Sequence, residues 1–376
     1  MIYLPVNGDS IKKAAEIILS GGLVAFPTET VYGLGANAYD AKALAKVFEA
    51  KGRPRFDPLI IHIAAIETLE SVAALSLLTA QARKKLFLLA ENLMPGPLSV
   101  VLPKNEKIPG IATAGLPTAA IRFPDHETAQ KLISLSGGAI AAPSANPFGS
   151  LSPTRAEHVR DKLGDKIDMI LDGGSARIGL ESTVLDITGD HIRILRPGGT
   201  PKEAIEKVIG FELCPQQKTQ TFGSEGDEQT TFPSPQSLVP SPQSPVPSPQ
   251  SSVPSPQSSV LSPQISPGQL KSHYAPKIPL FAMEREKIIK QPYKTGCAFL
   301  FFDDSTKNIW FNAQKCHDAS AVRVLSGVGD VLEAASRLFE TLYELDGGGF
   351  SRIFAQFAPP EGLGEAINDR LRRASS

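Results

Sequence analysis

Pro27–Gly35 reads PTETVYGLG and directly follows the apolar run Leu23–Phe26. A short strand therefore runs into a proline, then a hydroxyl–carboxylate–hydroxyl triplet, then two glycines. Strand-end loops of this kind commonly hold ligands in α/β folds. The glycines permit positive φ or a close backbone approach. The plainer reading is a turn whose threonines cap the helix beginning near Asp40. The segment is neither a Walker loop nor GxGxxG, so generic phosphate motifs do not apply. Outward from this loop, helical and strand patterns alternate. Helices are expected at Ser10–Leu19, capped by Asp9 or Ser10, at Ala41–Ala50 and at Thr79–Asn92. Strands are expected at Leu59–Ile63, Leu98–Leu102, Ala119–Phe123, Ala139–Ala142, Met169–Leu171, Ser182–Ile187 and Ile192–Leu195. The alternation is that of an α/β domain, and the closely spaced late strands imply hairpins and a mixed sheet.

Three further segments carry chemistry. KGRPRFDPLIIHI (Lys51–Ile63) places two cations at a helix end beside an apolar strand. Arg supplies a planar bidentate fork and Lys a point charge, a combination suited to a phosphate chain. The helix macrodipole alone would also attract them. His62, within the apolar strand, reads as a core or rim histidine before it reads as a catalyst. AAPSANPFGSLSPT (Ala141–Thr154) ends a strand in small hydrogen-bonding groups, which alone would be only a polar loop. ESTVLDI (Glu181–Ile187) and ILRPGG (Ile194–Gly199) bring Arg196 to another strand end. There is no GxSxG, no HExxH and no metal-spaced His/Cys cluster. That absence suggests chemistry by positioning and electrostatics, the way phosphoryl and nucleotidyl transfer is most often handled.

Length and composition agree with a soluble multidomain protein. The chain has 376 residues, 41% of them apolar and 20% charged. Lys and Arg total 38 against 39 Asp and Glu, so a basic nucleic-acid coat is not expected. Three cysteines without a CxxC pair exclude a disulfide scaffold. No stretch approaches the roughly 18 apolar residues that span a bilayer. The start, MIYLPVNGDSIKK, lacks the pattern of a secretory signal, and a cytoplasmic location is expected. Twelve of the 32 prolines lie between Pro215 and Pro267, where SPQ recurs every seven residues from Ser234 to Ser262. Proline in each repeat excludes a coiled coil. With no charge from Gln229 to Leu270, this stretch is expected to be a disordered linker of polyproline II character. A ligand for a proline-recognising domain is the less favoured reading.

Together the motifs resemble the YrdC-like family of threonylcarbamoyl-AMP synthases in its long, two-domain form. PTETVYGLG, Lys51–Arg53, Ser144–Asn146, STVLD and LRPG occur in the family's order. SPGQLKSHYAP (Ser266–Pro276) is similar to its interdomain motif, and GLGEAINDRL (Gly362–Leu371) to the end of its second domain. The resemblance implies a YrdC-like twisted mixed sheet with flanking helices, followed by a smaller Rossmann-like α/β domain. Residues 1–210 would form the catalytic domain, 211–278 a linker ending in a lid motif, and 279–376 the second domain. The implied reaction joins L-threonine, bicarbonate or CO2, and ATP into threonylcarbamoyl-AMP and pyrophosphate. The product would pass to the machinery that modifies the adenosine beside the anticodon of tRNA. Mg²⁺ would arrive with ATP, with no protein metal site assigned.

The same resemblance assigns residues. Thr30, His62, Arg122, Ala142 and Ser182 match threonine-site positions, with Arg122 on the threonine carboxylate. Lys51, Arg53, Thr118, Ser144, Asn146, Ser152, Arg196 and Tyr274 match nucleotide-site positions. Asp57 stands where the family usually has Asn, and a carboxylate there should repel phosphates unless Mg²⁺ bridges. Two alternatives stand beside this reading. A carbamoyltransferase of the hydrogenase-maturation type should carry CxxC zinc motifs that this chain lacks. A double-stranded RNA-binding module without ATP turnover is disfavoured by the balanced charge.

Overall fold

The computed structural model describes residues 1–189, 191–213, 274–314 and 319–375. The SPQ repeats and Ser266–His273 lie outside them. Among the described residues, one mixed sheet has ten strands: β1 (Ile2–Pro5), β2 (Val24–Phe26), β3 (Gly33–Asn37), β4 (Ile60–Ile63), β5 (Leu98–Pro103), β6 (Thr118–Arg122), β7 (Ala139–Ala141), β8 (Met169–Asp172), β9 (Thr183–Asp186) and β10 (Arg193–Arg196). Their spatial order is β1-β8-β2-β3-β7-β4-β6-β5-β9-β10. The helices around it are α1 (Gly8–Leu19), α2 (Ala41–Lys51), α3 (Ala80–Leu93), α4 (Glu127–Leu135), α5 (Ala156–Leu163) and α6 (Lys202–Ile209).

The apolar runs in β2, β7 and β8 are continuous because both faces of this half of the sheet are covered. Successive side chains point to opposite faces. Val24, Phe26, Ile140, Met169 and Leu171 pack with Ile11, Ala14 and Ile18 of α1 and Leu132 and Ile133 of α4. Ala25, Ala139, Ala141 and Ile170 face the other way, into a larger core with Leu44 and Val47 of α2 and Val159 of α5. Towards β6, β5 and β9 the first face carries only a small cluster, Ile60, Val101, Ala120 and Val184. That thinly covered face becomes the floor of a cleft.

A second sheet of four parallel strands follows: β11 (Leu280–Met283), β12 (Cys297–Asp303), β13 (Val322–Ser326) and β14 (Arg352–Gln356), ordered β11-β14-β12-β13. Helices α7 (Arg285–Ile288), α8 (Asp304–Gln314), α9 (Val331–Gly347) and α10 (Gly364–Ala374) accompany it. This is the expected Rossmann-like arrangement. Its core does not stop at its own boundary. Val31, Leu151 and Leu180 of the first unit share one cluster with Leu338, Phe339 and Ile367 of the second. Tyr343 donates to the Leu151 carbonyl at 2.7 Å and stacks on His158 at 4.0 Å between ring centroids. Arg155 pairs with Glu340 at 2.5 Å.

Several local expectations need correction. Helix α1 is capped by Asn7, not by Asp9 or Ser10. The Asn7 side chain accepts from the Asp9 and Ser10 amides, and Ser10 Oγ accepts from the Asn7 amide, completing a capping box. Gly33–Asn37 is not turn but strand β3, antiparallel to β2. Its glycines serve close approach rather than positive φ. A Cβ on Gly35 would lie 2.9 Å from the Phe26 ring and 3.0 Å from Ile140. The described end of the expected lid segment packs on the first unit: Tyr274 is buried and Ala275 donates to the Gly149 carbonyl at 2.8 Å.

Candidate active site

The cleft floor follows from strand register. His62 lies opposite Ile140 on one side and Arg122 on the other, and Arg122 lies opposite Ser99. With a two-residue side-chain period, Ile60, His62, Ala120, Arg122, Ser99 and Ala142 share one face. Ser182, just before β9, joins them through a 2.8 Å hydrogen bond between its hydroxyl and that of Ser99. The loop after β2 forms one wall, Pro143 and Ser144 another, and Arg196 with Tyr274 a third. The cleft is open on one side, and its empty space, the open mouth included, is about 530 Å³.

Hydrogen-bond direction tells what the wall offers. Thr28 Oγ1 donates to the Val31 carbonyl at 2.6 Å, so its single proton is used. Thr30 Oγ1, 2.8 Å away, must then donate to Thr28. Thr30 therefore faces the cleft as an acceptor, fit for a hydroxyl or N–H of a ligand. His62 is neutral at physiological pH. Burial, with the Arg122 charge as the second cause, pushes its pKa down to about 3.

Charges are arranged in pairs. Arg122 meets Glu29 at 2.7 Å and Arg53 meets Asp57 at 2.9 Å, all four groups buried. Glu181 is engaged by Arg370 of α10 at 2.7 Å and by the Ser152 hydroxyl. Burial would raise the Glu181 pKa, but Arg370, Arg196 and Ser152 overcome it and hold the group below the ordinary carboxylate range. Of the cleft's cations, Lys51 and Arg196 make no ion pair with a carboxylate among the described residues. Lys51 donates to the Ser144 carbonyl at 2.6 Å and to the Asn146 carbonyl, and Arg196 donates to the carbonyl and hydroxyl of Ser182. Burial and then the neighbouring Arg53 charge push Lys51 well below its ordinary value. An arriving anion would reverse that shift. Each basic group is thus aimed at backbone oxygens beside a cleft whose surplus charge is positive.

All five expected threonine-site residues line the cleft: Thr30, His62, Arg122, Ala142 and Ser182. Of the nucleotide set, Arg53, Ser144, Arg196 and Tyr274 line it. Lys51 and Asn146 sit one layer back and hold the Ser144 loop together. Ser152 reaches the cleft through Glu181, and Asp57 lies behind Arg53. Asp57 is therefore engaged by an arginine, which removes the bare repulsion expected of it. Thr118 begins β6, four residues before Arg122, about 13 Å along the strand, and does not line the cleft. Residue-type reasoning missed Thr28, Glu29, Glu181 and Arg370. The first three stand inside quoted motifs; Arg370 had no signal beyond its place in GLGEAINDRL.

Comparison with known proteins places these features. The Sua5–YciO–YrdC family model, described as "Telomere recombination", matches residues 16–198. The model "Threonylcarbamoyl-AMP synthase, C-terminal domain" matches residues 201–376. A threonylcarbamoyl-AMP synthase of Pyrococcus abyssi is 41% identical, over 97% of this chain and 94% of its own length. One from Bacillus subtilis is 37% identical, over 99% of this chain and 94% of its own. The crystal structure of P. abyssi Sua5 complexed with L-threonine superposes with a TM-score of 0.77 at 38% identity, covering 100% of this chain and 96% of that one.

Proposed function

The chain belongs to the threonylcarbamoyl-AMP synthase family, and on that premise we propose that its cleft makes threonylcarbamoyl-AMP and pyrophosphate from L-threonine, bicarbonate or CO2, and ATP. The threonine amine takes up CO2 as a carbamate. A carbamate oxygen then attacks the α-phosphorus, and the bond to the pyrophosphate oxygen breaks. A carbamate needs no strong base, which suits a neutral His62. The work of the site is to align two anions and neutralise them.

Arg122 takes the threonine carboxylate, and Thr30 accepts from the amino acid's hydroxyl or N–H. Arg53, Arg196 and the Lys51-braced Ser144 loop take the phosphates. Tyr274 closes the nucleotide side. Bound Mg²⁺ supplies charge neutralisation on the triphosphate. The nearby carboxylates Asp57, Glu29 and Glu181 are already engaged by arginines, so Mg²⁺ would be carried by the triphosphate itself. The product is handed to a tRNA-modifying transferase in the cytoplasm. No helix among the described residues is long and apolar enough to cross a membrane.

The observation that carries this reading is the convergence of PTETVYGLG, the Lys51–Arg53 segment, the Ser144 loop, Ser182 and Arg196 on one cleft. The test is pyrophosphate release by the full chain with ATP, Mg²⁺, L-threonine and bicarbonate, each omitted in turn. Release is expected only with all four. Equal release without threonine would falsify the reading.

A further inference from the structure

We infer that Arg370, contributed by the last helix of the second domain, is a positioning residue for the nucleotide half of the cleft, neutralising Glu181 so that Arg196 remains available to ATP and Ser152, Pro197 and Tyr274 are held in place around it. The inference rests on the nucleotidyl-transfer reading above and extends it to a residue of the second domain. Arg370 is 1% exposed, although it begins in a different domain from the cleft. Its Nε donates to Glu181 Oε2 at 2.7 Å and its Nη2 to the Pro197 carbonyl at 3.1 Å. Its guanidinium stands 4.7 Å from the centre of the Tyr274 ring. The remaining fork position meets Asp369 at 2.6 Å, and Asp369 is shared with Arg373.

One planar cation therefore touches three parts of the nucleotide side at once. Glu181 lines the cleft and accepts from Ser152; Pro197 follows Arg196 directly; Tyr274 is the third wall. Without Arg370, Glu181 would be a buried carboxylate facing Ser152 and Arg196. It would compete with the triphosphate for Arg196 and repel it. The Arg122–Glu29 pair lies at the threonine end and makes no contact with Arg370, so the two substrates should respond differently.

The test uses the full chain and four variants: Arg370→Gln, Arg370→Lys, Glu181→Gln and the Arg370→Gln, Glu181→Gln double. Thermal melts establish that each is folded. Steady-state kinetics give KM for ATP and for threonine, and calorimetric titration gives ATP affinity without turnover. Arg370→Gln should raise KM and Kd for ATP by about tenfold or more, with KM for threonine changed by less than about threefold. The double variant should regain most of the ATP affinity, because no uncompensated charge remains. Arg370→Lys keeps the charge but loses the fork, and should fall between Arg370→Gln and the unaltered chain. A role as domain glue alone predicts the opposite pattern: the double variant as weak as Arg370→Gln, or both KM values shifted together. Either result overturns the inference, as does ATP affinity unaltered by Arg370→Gln. Failure of the unaltered chain to release threonine-dependent pyrophosphate would instead count against the synthase reading; the ATP titrations would still decide the role of Arg370.

Discussion

Arg122 and Glu29 face each other at 2.7 Å, the arginine 4% and the glutamate 1% exposed, one on β6 and the other in the loop after β2. An arginine expected to meet a substrate carboxylate already holds a protein carboxylate. The two charges hold each other at the end of the cleft floor, Arg122 Nε donates to the Gly96 carbonyl at 3.4 Å, and Nη2, which makes no hydrogen bond among the described residues, is left for a ligand. Preorganisation of this kind lowers the ordering cost of binding.

Arg122→Ala should therefore weaken threonine binding and Arg53→Ala nucleotide binding, each by about 2–5 kcal/mol. Glu29→Gln keeps shape and loses charge, and should raise KM for threonine less than Arg122→Ala does. Titrations of threonine and ATP into each variant read this directly. A reversed pattern would show that the two subsites are assigned the wrong way round.

The interdomain segment should divide into a dispensable and an indispensable part. Deleting Pro233–Gln264 should leave product formation near normal, because SPQ repeats offer neither charge nor shape for a precise site. Tyr274→Ala should cut it strongly and release more hydrolysed product. Tyr274 is buried at the cleft with φ +63°, a left-handed conformation that a tyrosine adopts only when its surroundings hold it there. A folded but inactive deletion variant, or a fully active Tyr274→Ala variant, would refute the division.

Acid should destabilise the protein partly through His62. Its folded pKa, pushed down to about 3, lies below the unfolded value near 6.5. Below about pH 6.5 the unfolded chain binds a proton that the folded chain refuses, so stability falls as pH drops from 6.5 towards 3, with a limiting slope of about 1.4 kcal/mol per pH unit for this one group. Above about pH 7 the group contributes no pH dependence. Urea unfolding at pH 7.5 and pH 5 should show a smaller loss for His62→Gln than for the unaltered chain; equal losses would mean His62 protonates freely in the fold.

Domain docking should depend on Gly179. It has φ +73°, and a Cβ there would sit 2.6 Å from the Ser336 carbonyl oxygen of α9. Gly179→Ala should cost about 1–3 kcal/mol from backbone strain, with the clash adding to it. Limited proteolysis and thermal melts should show a loosened second domain. An unchanged melting temperature would mean the interface yields easily at that point.

Much of the fold was legible because it depends on local chemistry. Apolar runs in β4 to β9 announced buried strands, and Asp40 announced the start of a helix. Proline, glycine and hydroxyl residues at Thr28–Gly33, Pro143–Asn146 and Pro197–Gly198 marked strand-end loops, and their family order marked the function. Short elements escaped. In β3, Gly33 and Gly35 read as a turn because the feature that makes them strand, the Phe26 ring lying across them, comes from another strand. Helices α4, α5 and α6 have only eight or nine residues each, too few turns for a periodicity to stand out.

By itself the sequence determined the class of fold, the order of the motifs, the two-part organisation and the residue types able to receive an amino acid and a nucleotide. The tertiary structure alone decided which charges meet. Glu29 and Arg122 are 93 positions apart, and Glu181 and Arg370 are 189 apart. No periodicity reports such pairings, because they arise from strand register and from one domain packing on another. Whether an arginine is free for phosphate or already spent on a carboxylate depends on those distances, since Coulomb energy and desolvation are set by separation and burial rather than by composition.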